Sequence, residues 1–197
     1  MDEATQITAA QRGSLGAFND LVRAYEPRVY NLCWRMLGDP DAAADATQDA
    51  FFAAYRALDR FRGGSFKAWL LRIAANACYD QLRARRRHPS QSLDVLMEGD
   101  DAATPLEIPS TDRTMDPEDR ALQAELSREI QTALVQLPED QRLALIMVDI
   151  QGLSYEEIAA ATNTNLGTVK SRISRARLRM RDLLQARREL SPPGARP

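Results

Sequence analysis

Wherever the apolar residues of this chain are periodic they recur at steps of three and four, and nowhere do they alternate with period two. Helices packed on helices bury such stripes and a sheet does not, so the pattern predicts an all-α fold. Phe18, Leu21, Val22, Tyr25, Val29, Leu32, Cys33 and Met36 form the first stripe. Pro27 lies inside it, lacks an N–H and clashes with the preceding turn, which predicts a kink or a break. Gly38-Asp39-Pro40 ends that helix, and Asp39 or Asp41 can cap a second one over about residues 41–58. A loop over 59–65 with the pair Gly63-Gly64 leads to a third helix, from Phe66 to about Arg86. Its expected buried stripe is Phe66, Trp69, Leu70, Ile73, Ala77 and Leu82.

Periodicity is lost between His88 and Pro117, where Pro89, Pro105, Pro109 and Pro117 stand among Ser, Thr, Asp and Gly. The charge changes there too. Residues 1–87 carry 13 basic and 10 acidic side chains, 88–117 carry 1 and 7, and 118–197 carry 12 and 11. A segment this polar and this acidic cannot offset its ordering entropy, and it reads as a flexible acidic linker. Two small helical domains are therefore expected, over 1–88 and 118–190, joined by the linker 89–117 and followed by a disordered tail, 191–197. In the second domain Leu122, Leu126, Ile130, Leu134 and Leu137 form a stripe ended by Pro138. Leu143, Ile146, Met147 and Ile150 form another ended by Gly152, and two further helices follow over about 154–162 and 167–188.

Several function classes are excluded early. Cys33 and Cys78 stand 45 positions apart among apolar neighbours and the chain has one histidine, His88, so no zinc-ligand set exists. The cysteines read as small core residues, with a disulfide as the alternative. No phosphate-binding glycine loop or paired-histidine motif is present, and no cofactor or metal is expected. The apolar runs are far shorter than the roughly 20 residues that span a bilayer, and Met1-Asp2-Glu3 does not open a signal pattern, so a cytoplasmic location is expected.

The C-terminal segment carries the most specific local signal. Ser154 stands three residues before Glu157, the spacing of a capping box, and Asn163-Thr164-Asn165 supplies a turn before Thr168. On the last helix Val169, Ile173, Ala176, Met180, Leu183 and Leu184 share a stripe, and the opposite face centres on Lys170, Ser171, Ser174 and Arg175. Residues 166–188 hold eight basic side chains against one acid, Asp182. A capped helix, a tight turn and a basic amphipathic helix match the helix-turn-helix, whose second helix enters the major groove. An ordinary helical pair with a solvated charged face shares these features.

The motifs L-P-E-D-Q-R (137–142), G-L-S-Y-E-E-I-A (152–159) and G-T-V-K-S-R-I-S-R-A-R (167–177) resemble region 4 of extracytoplasmic-function sigma factors. Y-E-P-R-V-Y (25–30), D-A-A-A-D-A-T-Q-D-A-F (41–51) and F-R-G-G-S-F-K-A-W-L-L-R-I-A-A-N (61–76) resemble region 2 of the same family. The likeness spans nearly everything except the linker and the two ends. It implies a promoter-recognising subunit of RNA polymerase with no catalytic residue. Region 2 would bind the polymerase clamp and the −10 element, and region 4 the −35 element and the polymerase flap. A separate anti-sigma factor would regulate it, since the chain after Arg188 is too short for a further domain.

Residues follow from motif matching and from their placement. Asp41, Asp45, Gln48, Asp49 and Phe52 lie on one side of the second helix, an acidic face with an aromatic edge that suits a basic helical partner or simply water. The resemblance assigns this face to the clamp. Arg60, Arg62, Lys67 and Arg72, interleaved with Phe61, Phe66 and Trp69, suit single-stranded DNA, although Phe66 and Trp69 fit a core equally well. The resemblance adds Asn76 as a reader of a flipped −10 base. Arg83, with Arg85, Arg86 and Arg87, reads as a phosphate-binding stripe or as a favourable complement to the helix dipole. Thr168, Lys170, Ser171, Arg172, Ser174 and Arg175 match the −35-reading segment, with Arg172 on the flank as a phosphate contact.

Two other classes fit less well. A response regulator needs alternating strands and helices with a phosphoacceptor aspartate, and no strand pattern exists. For a magnesium-dependent nuclease the carboxylates of 41–49 form an open helical row with poor octahedral closure.

Overall fold

The computed structural model describes residues 2–87 and 117–190, and every regular element among them is helical. The chain divides into two compact units, one ending at Ile108 and the other starting at Pro109. The expected linker falls largely outside the described residues, as does the expected tail.

The N-terminal unit contains α1 (Glu3–Gln11), α2 (Leu15–Leu37), α3 (Pro40–Ala57), a 3₁₀ turn (Leu58–Arg60) and α4 (Phe66–Arg87). The short α1 was not legible in advance, because its apolar contribution is only Ile7 and Ala10, both buried. Helix α2 passes through Pro27 without dividing, contrary to one of the two expectations for that residue. It ends at Gly38, whose φ of 71° is open to glycine at little cost. Asp39 then does two things: Oδ1 accepts the Ala42 N–H at 2.9 Å as the cap of α3, and Oδ2 accepts from Arg85 of α4 at 2.7 Å.

Leu21, Val29, Leu32, Cys33 and Met36 of α2 meet Leu70, Leu71, Ala74 and Cys78 of α4, all at most 2 % exposed. The expected stripe on α4 was misplaced by part of a turn. Phe66 and Leu70 are buried, but Trp69, Ile73, Ala77 and Leu82 are only half-buried, and Ala68, Leu71, Ala74, Ala75 and Cys78 take the core. Both cysteines are free thiols in this core. They share a hydrogen bond, and that bond together with burial pushes the Cys78 thiol up from its ordinary range.

Helix α3 packs through alanine. Ala42, Ala43, Ala46, Ala50 and Ala54 are buried with Thr47, so α3 approaches its neighbours closely while its larger residues point away. Phe52 and Tyr55 remain 54 % and 44 % exposed.

The C-terminal unit contains α5 (Pro117–Val135), α6 (Glu139–Leu145) continued by a π-helical turn (Ile146–Ile150), α7 (Tyr155–Thr162) and α8 (Leu166–Leu190). Ala133, Leu134, Leu137, Leu143, Ile146, Met147, Ile158, Val169, Ile173 and Ala176 form its core. Two stripes were over-extended. Leu122 and Leu126 are 64 % and 47 % exposed, because packing takes up only the C-terminal half of α5. Ile150 is 42 % exposed because the wider π turn rotates it off the α-helical register.

Candidate nucleic-acid and polymerase interface

Three surfaces bring the expected site residues together. The first is the outer face of α3. Asp41, Asp45, Gln48, Asp49 and Phe52 are all exposed, and among the described residues no cation pairs with the three aspartates. Asp41, with Asp39, raises the neighbouring Tyr30 hydroxyl pKa, second to its partial burial. Tyr55, which the sequence reading passed over, stands one turn beyond Phe52, its ring against Phe18 at 5.0 Å.

The second surface is the loop before α4 and the exposed face of that helix. Arg60 and Arg62 are exposed, and the Arg62 guanidinium folds back to donate to the Asp59 carbonyl at 2.7 Å. Gly63 and Gly64 have φ of +100° and +88°, a conformation that L side chains adopt only with strain. Phe61 does not join this surface. It is 9 % exposed, with ring centroids 5.5 Å from Phe66 and 5.3 Å from Trp69, so its place is in the aromatic layer beneath the loop. Apolar burial outweighed the display that its position among arginines suggested.

At 100° per residue Arg72, Asn76 and Arg83 share one exposed face of α4, and Lys67 lies roughly 140–180° around the helix from it. Lys67 is therefore separated from Asn76. Asp80 stands on the same face and pairs with Arg83, an acid the sequence reading had not weighed. Ser65 caps α4, accepting the Ala68 N–H at 3.2 Å.

The third surface is the start of α8. Ser154 and Glu157 form the capping box in both directions, at 3.1 and 2.8 Å, and fix where α7 begins. Asn163, at φ 51°, turns the chain. Asn165 Oδ1 then accepts the Thr168 N–H at 2.7 Å. A Cβ on Gly167 would stand 3.3 Å from that oxygen, a tight contact that the Asn165 side chain would have to shift to relieve.

Lys170, Ser174 and Arg175 are exposed, and Ser171 is half-buried with its hydroxyl donating to Thr168 O at 2.9 Å. Thr168 is half-buried at the helix entrance. Leu178, 50 % exposed, lies on the same face and was missed because it continues no apolar stripe. Arg172 is held differently from the free phosphate contact expected. Its Nε lies 2.9 Å from Asp140, tying α8 back to α6. A second tie joins Arg177 to Asp149 through two bonds of 3.2 and 2.6 Å, and hydrogen bonding to Asp149 raises the Arg177 pKa.

This pairing of an acid-faced helical unit with a helix-turn-helix has close counterparts. Residues 21–88 match the family model for Sigma-70 region 2, and residues 127–180 match that for Sigma-70, region 4. The RNA polymerase sigma-H factor of Pseudomonas aeruginosa is 42 % identical over 178 residues, covering 87 % of this chain and 88 % of the relative. The ECF RNA polymerase sigma-E factor of Escherichia coli K12 is 41 % identical over 174 residues, with the same coverage of each. The chain belongs to the extracytoplasmic-function sigma factors of the sigma-70 family.

It is thus a non-enzymatic initiation factor that binds core RNA polymerase and directs promoter recognition and transcription initiation. No helix among the described residues is long and apolar enough to cross a membrane. The sigma factor RpoE of Bartonella quintana, solved with the anti-sigma factor NepR, has 31 % identity and a TM-score of 0.65. That match covers 85 % of this sigma factor and 96 % of the other chain.

Proposed function

We propose that this sigma factor grips core polymerase through the outer face of α3, melts and reads the −10 element with the loop 59–65 and the Arg72–Asn76–Arg83 face of α4, and reads the −35 element with the start of α8. The two halves act as independently folding domains on promoter DNA, the second also touching the polymerase flap, and the protein works in the cytoplasm. A separate anti-sigma factor controls it, as NepR is bound to RpoE in the solved complex of that relative.

One observation carries the polymerase assignment: α3 buries its alanines and exposes Phe52, Tyr55 and an acidic row without intramolecular partners among the described residues. A helix folded only for its own domain buries its aromatics, so the inverted pattern supports a partner that is basic with an apolar seam. The acids supply steering and specificity, and the aromatic rings supply desolvated contact area.

The test is Asp45→Lys combined with Asp49→Lys. Both positions are exposed, so the helical content and melting of the N-terminal unit should stay as in the wild type, each change contributing under about 0.5 kcal/mol. Association with core polymerase, measured by gel filtration or fluorescence anisotropy, should be lost. Wild-type association by the double variant would remove α3 from the polymerase interface.

A further inference from the structure

The loop assigned to the −10 element is anchored by a residue far from it in sequence. Gln11, the last residue of α1, donates from Nε2 to the carbonyl of Leu58 at 3.0 Å and to that of Phe61 at 2.9 Å. Both partners are acceptors, so the amide must present its NH₂ group, and both of its hydrogens are used. The same two residues close the 3₁₀ turn through the Phe61 N–H on Leu58 O at 3.1 Å. On the far side the loop is fastened by Ser65, whose carbonyl accepts the Trp69 N–H at 3.1 Å. Only Arg62, Gly63 and Gly64 stand between the two clamps, all exposed.

Helix α1 is itself tied to the layer below the loop. The Tyr25 hydroxyl bonds Glu3 of α1, and the Tyr25 ring stands 5.4 Å from that of Phe66, which touches both Phe61 and Trp69. The first helix is therefore a brace for the loop, delivered through one carboxamide.

The geometry points to Gln11 as a positioning residue for reading of the −10 strand: its carboxamide holds the entrance of the loop 62–64 in the conformation that receives single-stranded DNA. This rests on the assignment of that loop to the −10 element. A flexible tripeptide must lose backbone freedom when it binds, and a loop already held at both ends loses less, so the anchor raises affinity without touching DNA. Gln11 lies on a different helix from the acidic face, so it leaves polymerase binding alone.

The experiment compares Gln11→Glu, Gln11→Ala and Arg62→Ala, each assembled with core polymerase into holoenzyme. Gln11→Glu keeps the shape but turns a double donor into an acceptor facing two carbonyls, and Gln11→Ala removes the donors without adding charge. The probe is a single-stranded oligonucleotide carrying the −10 segment that wild-type holoenzyme selects from a randomised promoter library. Its anisotropy is read beside core-polymerase affinity and the thermal midpoint. Both Gln11 variants should bind the strand roughly tenfold more weakly, equivalent to about 1.4 kcal/mol, with core affinity unchanged. They should also open duplex promoter more slowly.

Wild-type strand binding by both Gln11 variants, with Arg62→Ala weakened, overturns the role of Gln11 and leaves the loop assignment standing. Wild-type binding by all three overturns the loop assignment itself. Parallel loss of core affinity and strand binding in both Gln11 variants reduces Gln11 to a support of the fold and overturns the inference as well.

Discussion

Arg142 should hold the C-terminal unit together, and its replacement by methionine isolates how much. Arg142 is 6 % exposed and its Nη2 donates to Val135 O at 2.6 Å and Leu137 O at 3.0 Å, joining the end of α5 to α6 across the turn at Pro138. Methionine keeps most of the aliphatic stem and removes the fork. A hydrogen bond from a charged donor contributes about 1.5–3 kcal/mol. At least these two are lost, while the unfavourable burial of the cation is relieved, so a net destabilisation of about 2–4 kcal/mol is expected.

A unit of roughly 75 residues is stable by only about 4–11 kcal/mol. The variant should therefore fold, but with its midpoint lowered by roughly 10–30 °C, at about 4–8 °C per kcal/mol. The chain provides its own control. Both tryptophans, Trp34 and Trp69, belong to the N-terminal unit. Tryptophan fluorescence reports that unit alone, and far-ultraviolet circular dichroism reports both. In Arg142→Met the dichroism transition should split or broaden downward with the fluorescence transition in place. A shift below about 5 °C would show that the two carbonyls are held well enough without the arginine. Movement of the fluorescence transition in step would refute independent melting.

Arg175→Ala should relax −35 preference at one position by about 1–3 kcal/mol, as expected for loss of a bidentate contact to guanine, whereas Lys170→Ala should weaken all sequences and lower the salt dependence. Binding to single-base −35 variants at two salt concentrations separates the two outcomes, and uniform loss in Arg175→Ala would make it a backbone contact. Tyr25 has its pKa raised to about 12 by burial and by its bond to Glu3. Its protonated form is favoured on folding, so its contribution is complete below about pH 10 and is lost as pH rises through about 12. Tyr25→Phe should lose less of its fluorescence-monitored stability than the wild type between pH 10 and 12.

The helical class, the two-unit division and the helix-turn-helix were legible because each follows from short-range rules. The Ser154–Glu157 box and the Gly38 stop are local exchanges of hydrogen bonds within a few residues, and they occur at the positions their spacing implied. The acid face of α3 was legible for the same reason, since helical period alone puts Asp41, Asp45 and Asp49 on one side.

What the chain does across distance was decided by tertiary packing. Periodicity names a stripe but not how much of it meets a partner, and so Leu122, Leu126 and Ile150 were assigned to a core that ends before them. The stripe on α4 was misplaced because its large residues were counted on, whereas the buried face is made largely of small ones such as Ala74, Ala75 and Cys78. Phe61 was read from its arginine neighbours, but Phe66 and Trp69 gave it an apolar site. Arg172 was read from its place on the flank of the last helix alone, and folding also placed Asp140 beside it. The Gln11 clamp joins residues 47 and 50 positions apart, and no local pattern in a polar helix end marks which distant carbonyls it will meet. Sequence period determined which faces exist, and the three-dimensional neighbours determined which of them are buried inside each unit and which stay exposed.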